Sequence, residues 1–511
     1  MEMARGSGVL LHISSLPGRF GIGNIGGPAR EFVDFLADAG QRYWQFLPLG
    51  PTSAIAAYSP YMSFSAFAGN SLFIDLERLV GDGLVSGAVL AAAPEFSEYQ
   101  VDFPKVVLFV EQILTQAFQE FSKSGSGNEF AEFRRREASW LTDYAFFMAL
   151  RENNNFLPWY QWPAEIAGRG SEVYESWREK LAERIDFHCF CQYCFFSQWA
   201  ELKRYANSRG VSLIGDIPIY VGHDSVDLWA NPGCFRLDSA TLTPTHVAGV
   251  PPDYFSATGQ RWGNPLYRWQ IGGEINHQLY DWWGERFRSM FRMADICRID
   301  HFRGFESFWE IDFAEETAVN GRWGKGPGRA FFDDMAEHIG DLPIIAEDLG
   351  LITSEVDELR RALGFPGMKV LQFAFDSDEK NPYLPHNYRS DNSVVYTGTH
   401  DNDTTLGWFS GGQITDGARA RVKRYLRNDG GEISRDFIRL ALSSAARIAI
   451  FPMQDVLGFG NDCRMNLPGT VAGNWQWRCA PRFINGEVAG WLWDETSFYN
   501  RAERINKLAE L

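Results

Sequence analysis

Eight short runs rich in Ile, Val, Leu or Phe recur along this 511-residue chain, and each ends in polar residues. They span 9–14, 44–50, 212–221, 296–302, 344–350, 368–375, 393–401 and 447–458. Near-continuous apolar runs of this length suit parallel strands buried on both faces. Helical patterns lie between them. Segment 28–39 carries Phe32, Phe35 and Leu36 at helical spacing, and 354–363 has a Ser cap and an acidic first turn. The alternation predicts an α/β fold with a parallel sheet, and eight units favour a closed (β/α)8 TIM barrel over an open sheet.

Two intervals are too long for simple crossovers. Residues 66–210 hold long helical patterns, such as 106–121 and 140–152, and read as a mainly helical insertion. Residues 222–293 read as a second insertion, whose first half, rich in Gly, Pro and aromatics, is expected to be irregular. No repeat or linker divides the chain, so residues 1–511 are expected to form a single barrel with these helical and irregular insertions between barrel strands.

Sites on such a barrel lie at the C-terminal ends of the strands. Several runs end there in carboxylates: Asp216 on the third, Asp300 on the fourth with Arg298 before it, Glu347 on the fifth, and Asp401 on the seventh beside His400. A single strand-end Asp is easily read as a helix cap. Three acids converging on one mouth, with an arginine and a histidine beside them, fit that reading poorly, because such groups are costly to bury unless paired or solvated. Cleavage of a glycosidic bond needs this set. One carboxyl donates a proton to the leaving oxygen, and a second faces the anomeric carbon, about 5–5.5 Å away in a retaining enzyme. An arginine two residues before the nucleophile shares its strand face and holds it ionised.

The net charge of −17 repels a polyanion, so no nucleic-acid partner is expected. Eighteen Trp among 15% aromatics suit both a large core and a cleft that stacks on sugar faces. No stretch has the length of a membrane span, the first residues show no signal peptide, and the seven Cys are odd in number and scattered. These features predict a cytoplasmic protein without a membrane partner.

Other patterns carry less. Cys189, Cys191 and Cys194 beside His188 lie in an aromatic helical stretch with no second ligand pair, and read as buried thiols. The glycines of 21–26 fit a dinucleotide fingerprint, yet no acid closes the next strand, so they read as a tight loop. Asp401-Asn-Asp403 and Asp376-Ser-Asp378 lack the Gly and distal Glu of a calcium loop, and Gly324-Lys325 lacks the rest of a P-loop. No metal and no cofactor are expected.

The longer motifs resemble those of glycoside hydrolase family 77, the 4-α-glucanotransferases or amylomaltases. They are Ser7-Gly-Val-Leu-Leu-His-Ile-Ser-Ser-Leu-Pro-Gly18, Ser59-Pro-Tyr61, Gly215-Asp-Ile-Pro-Ile-Tyr-Val221 and Gly249-Val-Pro-Pro-Asp-Tyr-Phe-Ser-Ala-Thr-Gly-Gln260. Trp262-Gly-Asn-Pro265, Arg298-Ile-Asp-His-Phe-Arg-Gly304, Ala346-Glu-Asp-Leu-Gly350, Thr399-His-Asp-Asn-Asp-Thr404, Gln454-Asp-Val-Leu-Gly458 and Arg464-Met-Asn-Leu-Pro-Gly469 follow in order over nearly the whole chain. The resemblance implies Asp300 as nucleophile, Glu347 as acid/base and Asp401 as a stabiliser of the distorted sugar. It implies that Arg298 holds Asp300, that His301 and His400 bond the sugar or the acids, and that Tyr61 stacks on the ring at the cleavage subsite. Asp216, Gln454 and Asn466 would be supporting groups.

Loop 249–265 would cover the cleft with Tyr254, Phe255, Gln260 and Trp262, keeping water from the covalent intermediate. The implied partners are α-1,4-glucans, meaning maltodextrins, starch or glycogen segments, and glucose as acceptor, handled by a monomer or homodimer. A net α-glucan hydrolase and a non-catalytic glucan-binding protein remain as alternatives, with a nucleotide-sugar transferase more remote. One departure from the family pattern is 53–58, Ser-Ala-Ile-Ala-Ala-Tyr, where many relatives carry a Gly-containing turn.

Overall fold

A computed structural model describes residues 3–502 except 126, 168, 170, 171 and 253–255. Eight parallel strands close a barrel: β1 (Gly6–Leu10), β2 (Tyr43–Gln45), β3 (Ser212–Pro218), β8 (Ile296–Asp300), β11 (Ile344–Ala346), β12 (Gly367–Val370), β13 (Ser393–Tyr396) and β14 (Ile448–Pro452). Going round, the order is β1-β14-β13-β12-β11-β8-β3-β2. Four strands outside the barrel, β4 (His246–Val250), β5 (Gln260–Pro265), β9 (Ser307–Asp312) and β10 (Arg322–Lys325), form an antiparallel sheet in the order β10-β9-β4-β5. A small hairpin joins β6 (Gln270–Ile271) to β7 (Glu274–Ile275).

The fold is the (β/α)8 TIM barrel that the eight apolar runs predict. Each run overlaps one barrel strand. The first strand starts earlier than its run, at Gly6, because Gly8 permits close approach: a Cβ there would meet the Tyr43 carbonyl oxygen at 2.3 Å. Helices Gly27–Asp38, His277–Met293, Arg329–Ile339, Ser354–Ala362 and Ile433–Ser443 lie between successive strands, whereas β12 connects to β13 through 3-10 turns alone. Ser354 is the first helical residue rather than the cap; Thr353 takes the cap position.

Between β2 and β3 the described elements are helical, the longest being Phe103–Lys123, Ala138–Asn153 and Ala182–Ser208. Cys189, Cys191 and Cys194 lie buried in the last of these, with burial pushing the Cys189 thiol up to about 11, and His188 bonds Glu152 instead.

The stretch after Ala230, expected to be irregular, contains β4 and β5. β4 pairs antiparallel with β5, the next strand in the chain, but its other neighbour is β9, which lies beyond β8, so that side of the sheet could not be read locally.

Aromatics fill the interface between barrel and helices. Trp44 donates its indole N–H to the Leu11 carbonyl at 2.8 Å and meets Phe32 edge-on. Inside the barrel, the Tyr396 hydroxyl donates to Gln45 Oε1 at 2.9 Å across the lumen. Segment 53–58 closes with Ala57 and Tyr58 both in the left-handed region, at φ 49° and 58°, and Tyr58 stacks on Phe103 at 4.2 Å. Among the described residues no helix is long and apolar enough to cross a membrane.

Candidate active site

The strand order brings the acids to one rim. β3 and β8 are neighbours with Asp216 opposite Arg298 and Pro218 opposite Asp300. β8 and β11 are neighbours with Ile299 opposite Ala346, and the Glu347 N–H donates to the Ile299 carbonyl at 3.0 Å. Asp300 and Glu347 therefore leave adjacent strand ends.

Arg298 is buried and forks between two carboxylates: Nη1 donates to Asp216 Oδ2 at 2.6 Å and Nη2 to Asp300 Oδ1 at 2.8 Å. Asp216 also accepts the Tyr61 hydroxyl at 2.7 Å. A buried guanidinium with two carboxylate partners has its charge compensated, and its bond to Asp300 favours the ionised acid.

Glu347 lies in a different field. Burial first, and the Asp300 charge second, push its carboxyl up to about 7. Two backbone donors oppose that rise: the His301 N–H reaches Oε2 at 2.7 Å and the Leu349 N–H reaches Oε1 at 2.7 Å. Burial raises Asp300 as well, with Arg298 pulling it back. Arg298 hydrogen-bonds Asp300 and makes no such bond to Glu347, so the proton the pair retains belongs on Glu347.

Asp401 stands across the mouth, after β13. It accepts the Asn466 amide at 2.6 Å on Oδ1, where His400 Nε2 also lies 3.4 Å away. The His400 ring stacks parallel to Tyr61 with centroids 5.1 Å apart. Trp262 meets His301 edge-on at 4.7 Å and donates its indole N–H to Gln260 Oε1 at 3.1 Å.

The structure thus brings together Asp216, Arg298, Asp300, Glu347 and Tyr61, and joins His400, Asp401 and Asn466 to them through the Tyr61 ring. Gln260 and Trp262 reach this group through His301. Gln454 lies further back, donating to the Cys463 carbonyl and lining a cavity of about 30 Å³ with His12, His400 and Asp403. Tyr254 and Phe255 lie outside the described residues.

Three residues escaped the sequence reading. Trp475 lies 6.0 Å from both Tyr61 and His400, ring to ring, and nothing in its local pattern marks it. Arg464 donates to the Asp401 carbonyl and to the Asn466 carbonyl, each at 2.6 Å, and its place in a family-like motif was the available signal. Asp455, fully buried in the short helix Met453–Val456 that follows β14, accepts from the Thr397 hydroxyl at 2.5 Å and from the Thr405 N–H and hydroxyl at 2.7 Å each. It clamps both ends of the segment that carries His400 and Asp401.

One strand-end carboxyl that keeps its proton, next to another held charged by a buried arginine, is equipment for glycosidic-bond chemistry on a (β/α)8 barrel. That is the class the fold and the site define: a barrel enzyme of the glycoside-processing kind.

Comparison with known proteins narrows the class. A family model described as 4-alpha-glucanotransferase matches residues 11–483. A 4-alpha-glucanotransferase of Synechocystis sp. is 50% identical over 504 residues, covering 97% of this chain and 98% of the relative. One of Thermus thermophilus is 47% identical, covering 95% and 97%. The solved structure of an amylomaltase from Streptococcus agalactiae in complex with acarbose superposes with a TM-score of 0.93 at 40% identity, covering 98% of this chain and all of that one. The chain belongs to glycoside hydrolase family 77, the 4-α-glucanotransferases.

Proposed function

We propose that this chain acts as a retaining 4-α-glucanotransferase through Asp300 and Glu347. An Asp300 oxygen attacks the anomeric carbon of an α-1,4-linked glucose. The bond from that carbon to the leaving oxygen breaks, and that oxygen takes the Glu347 proton. The product is a glucosyl ester on Asp300. The 4-hydroxyl of a second glucan, or of glucose, then loses its proton to Glu347 and attacks the same carbon, which frees Asp300 with configuration retained.

The observation that carries this reading is the split between the two acids: a buried arginine on Asp300, and a carboxyl raised to about 7 at Glu347. Asp401 binds hydroxyls of the distorted sugar, with His400 and Asn466 aligning it. Tyr61 offers its ring as floor. His301, Gln260 and Trp262 form the rim, and loop 249–265 with Tyr254 and Phe255 shields the ester from water. Asp216 and Gln454 support.

The substrates are maltodextrins and the outer segments of starch or glycogen. A cytoplasmic setting is supported by seven free cysteines, six of them buried. We read the active species as a monomer or homodimer.

Maltotriose tests the reading. Transfer yields glucose plus a ladder of longer maltodextrins with little net gain of reducing ends. Steady growth of reducing ends without longer products would assign a hydrolase. Asp300→Asn abolishes turnover and keeps glucan binding; unchanged turnover would refute the nucleophile.

A further inference from the structure

Trp323 is 45% exposed, yet it is held in place. The Arg303 guanidinium sits 4.1 Å from its ring centroid, and Trp309, its partner across the β9–β10 ladder, meets it edge-on at 5.1 Å. Arg303 itself is only 5% exposed; its Nη1 donates to the Leu351 carbonyl and its Nη2 lies 3.5 Å from the Ser307 hydroxyl. The ring is thus held by a fixed cation over one face and by a second indole packed at a steep angle to it. Nearly half of the Trp323 surface stays open to solvent, and Leu351, whose carbonyl accepts from Arg303, is exposed as well.

The position of this ring links it to the site. Arg303 belongs to the 3-10 turn Phe302–Phe305, which directly follows Asp300 and His301. Leu351 belongs to the loop that follows Glu347. The sheet carrying Trp323 on β10 runs through β9 and β4 to β5, where Trp262 meets His301. One sheet therefore joins an aromatic ring at the catalytic turn to an aromatic ring outside it, and both rings are braced on residues of that same turn.

We propose that Trp323 is an outer stacking site for a long α-glucan, on the side of the cleft served by the Glu347 loop. A glucose ring has an apolar face that packs on an indole, and an ordered indole with one face already occupied loses little freedom on binding. The substrate is neutral, so the cation beneath the ring neither attracts nor repels it and serves to fix the platform. The site favours acceptors and donors long enough to reach past the Trp262 rim. This rests on the glucanotransferase reading of the cleft.

The test compares soluble amylose with maltotriose as sole substrate. Trp323→Ala lowers the ratio of kcat/KM for amylose to kcat/KM for maltotriose roughly fivefold, and Trp323→Phe restores most of it. Equal change on both substrates would overturn the proposal. Migration in native gels containing amylose gives an independent readout: the alanine variant is retarded less than wild type, and equal retardation would also overturn it. Thermal unfolding of both variants separates this from loss of fold. A wild-type enzyme that builds no ladder from maltotriose, yet loses amylose retardation through Trp323→Ala, would sink the transferase reading and leave the binding site standing.

Discussion

The backbone N–H of His301 donates to Oε2 of Glu347 at 2.7 Å, so the residue next to Asp300 is bonded to the acid on the neighbouring strand. His301 reaches it from a left-handed conformation, φ 55°, which costs of order 1–3 kcal/mol in a non-glycine residue. The pair is held in register by the backbone as well as by the sheet.

The pH profile follows from that pair. On the proposed mechanism Glu347 is protonated at the start of the reaction, and burial with the Asp300 charge brings its carboxyl up to about 7. kcat/KM for maltotriose is therefore expected to fall tenfold per pH unit above about 7. Because the folded-state value is raised, the associated stability is full below the ordinary carboxyl range and is lost as pH rises through about 7. Glu347→Gln removes this part of the pH dependence of the melting temperature. A kcat/KM profile flat up to about pH 9 would contradict the assignment.

Asp216→Ala is expected to cost roughly 3–5 kcal/mol, because it leaves the Arg298 charge buried with one partner instead of two and strips the Tyr61 hydroxyl of its acceptor. Chemical denaturation measures this as a shift in midpoint. Activity falls with it, since Arg298 no longer has a fixed position from which to hold Asp300.

Asp455 is a positioning residue. Asp455→Ala releases Thr397 and Thr405, the two ends of the His400–Asp401 segment, and kcat is expected to drop on the order of a hundredfold with a smaller change in KM. Asp455→Asn restores most of kcat, because its oxygen accepts the Thr405 N–H and its amide donates to the hydroxyls. If both variants lower the melting temperature but neither changes kcat, the clamp is structural only.

Ala57→Gly is expected to stabilise the fold by about 0.5–1 kcal/mol, since φ 49° strains alanine and not glycine. Differential scanning calorimetry reads this directly. A neutral result would mean that the Tyr58–Phe103 stack already compensates the turn.

Short apolar runs ending in acids made the barrel legible, because strand burial and strand-end function both leave local marks. Asp300, Glu347 and Asp401 were visible as carboxylates where burial is costly, and the helix around Cys191 was visible from its aromatics.

What the sequence could not show depends on contacts between distant segments. Arg298 is shared between Asp216 and Asp300 only because β3 and β8 are neighbours. The sheet β10-β9-β4-β5 draws strands from either side of β8, so neither half shows its partner. Asp455 looks like any Asp in the first turn of a short helix until Thr397 and Thr405 are seen to converge on it. The sequence alone determined the barrel strands and the carboxylates at their ends, through local periodicity and the cost of burying charge. Tertiary structure decided which carboxyl stays charged and which keeps its proton, because that depends on electrostatics over a few ångströms between groups far apart in the chain.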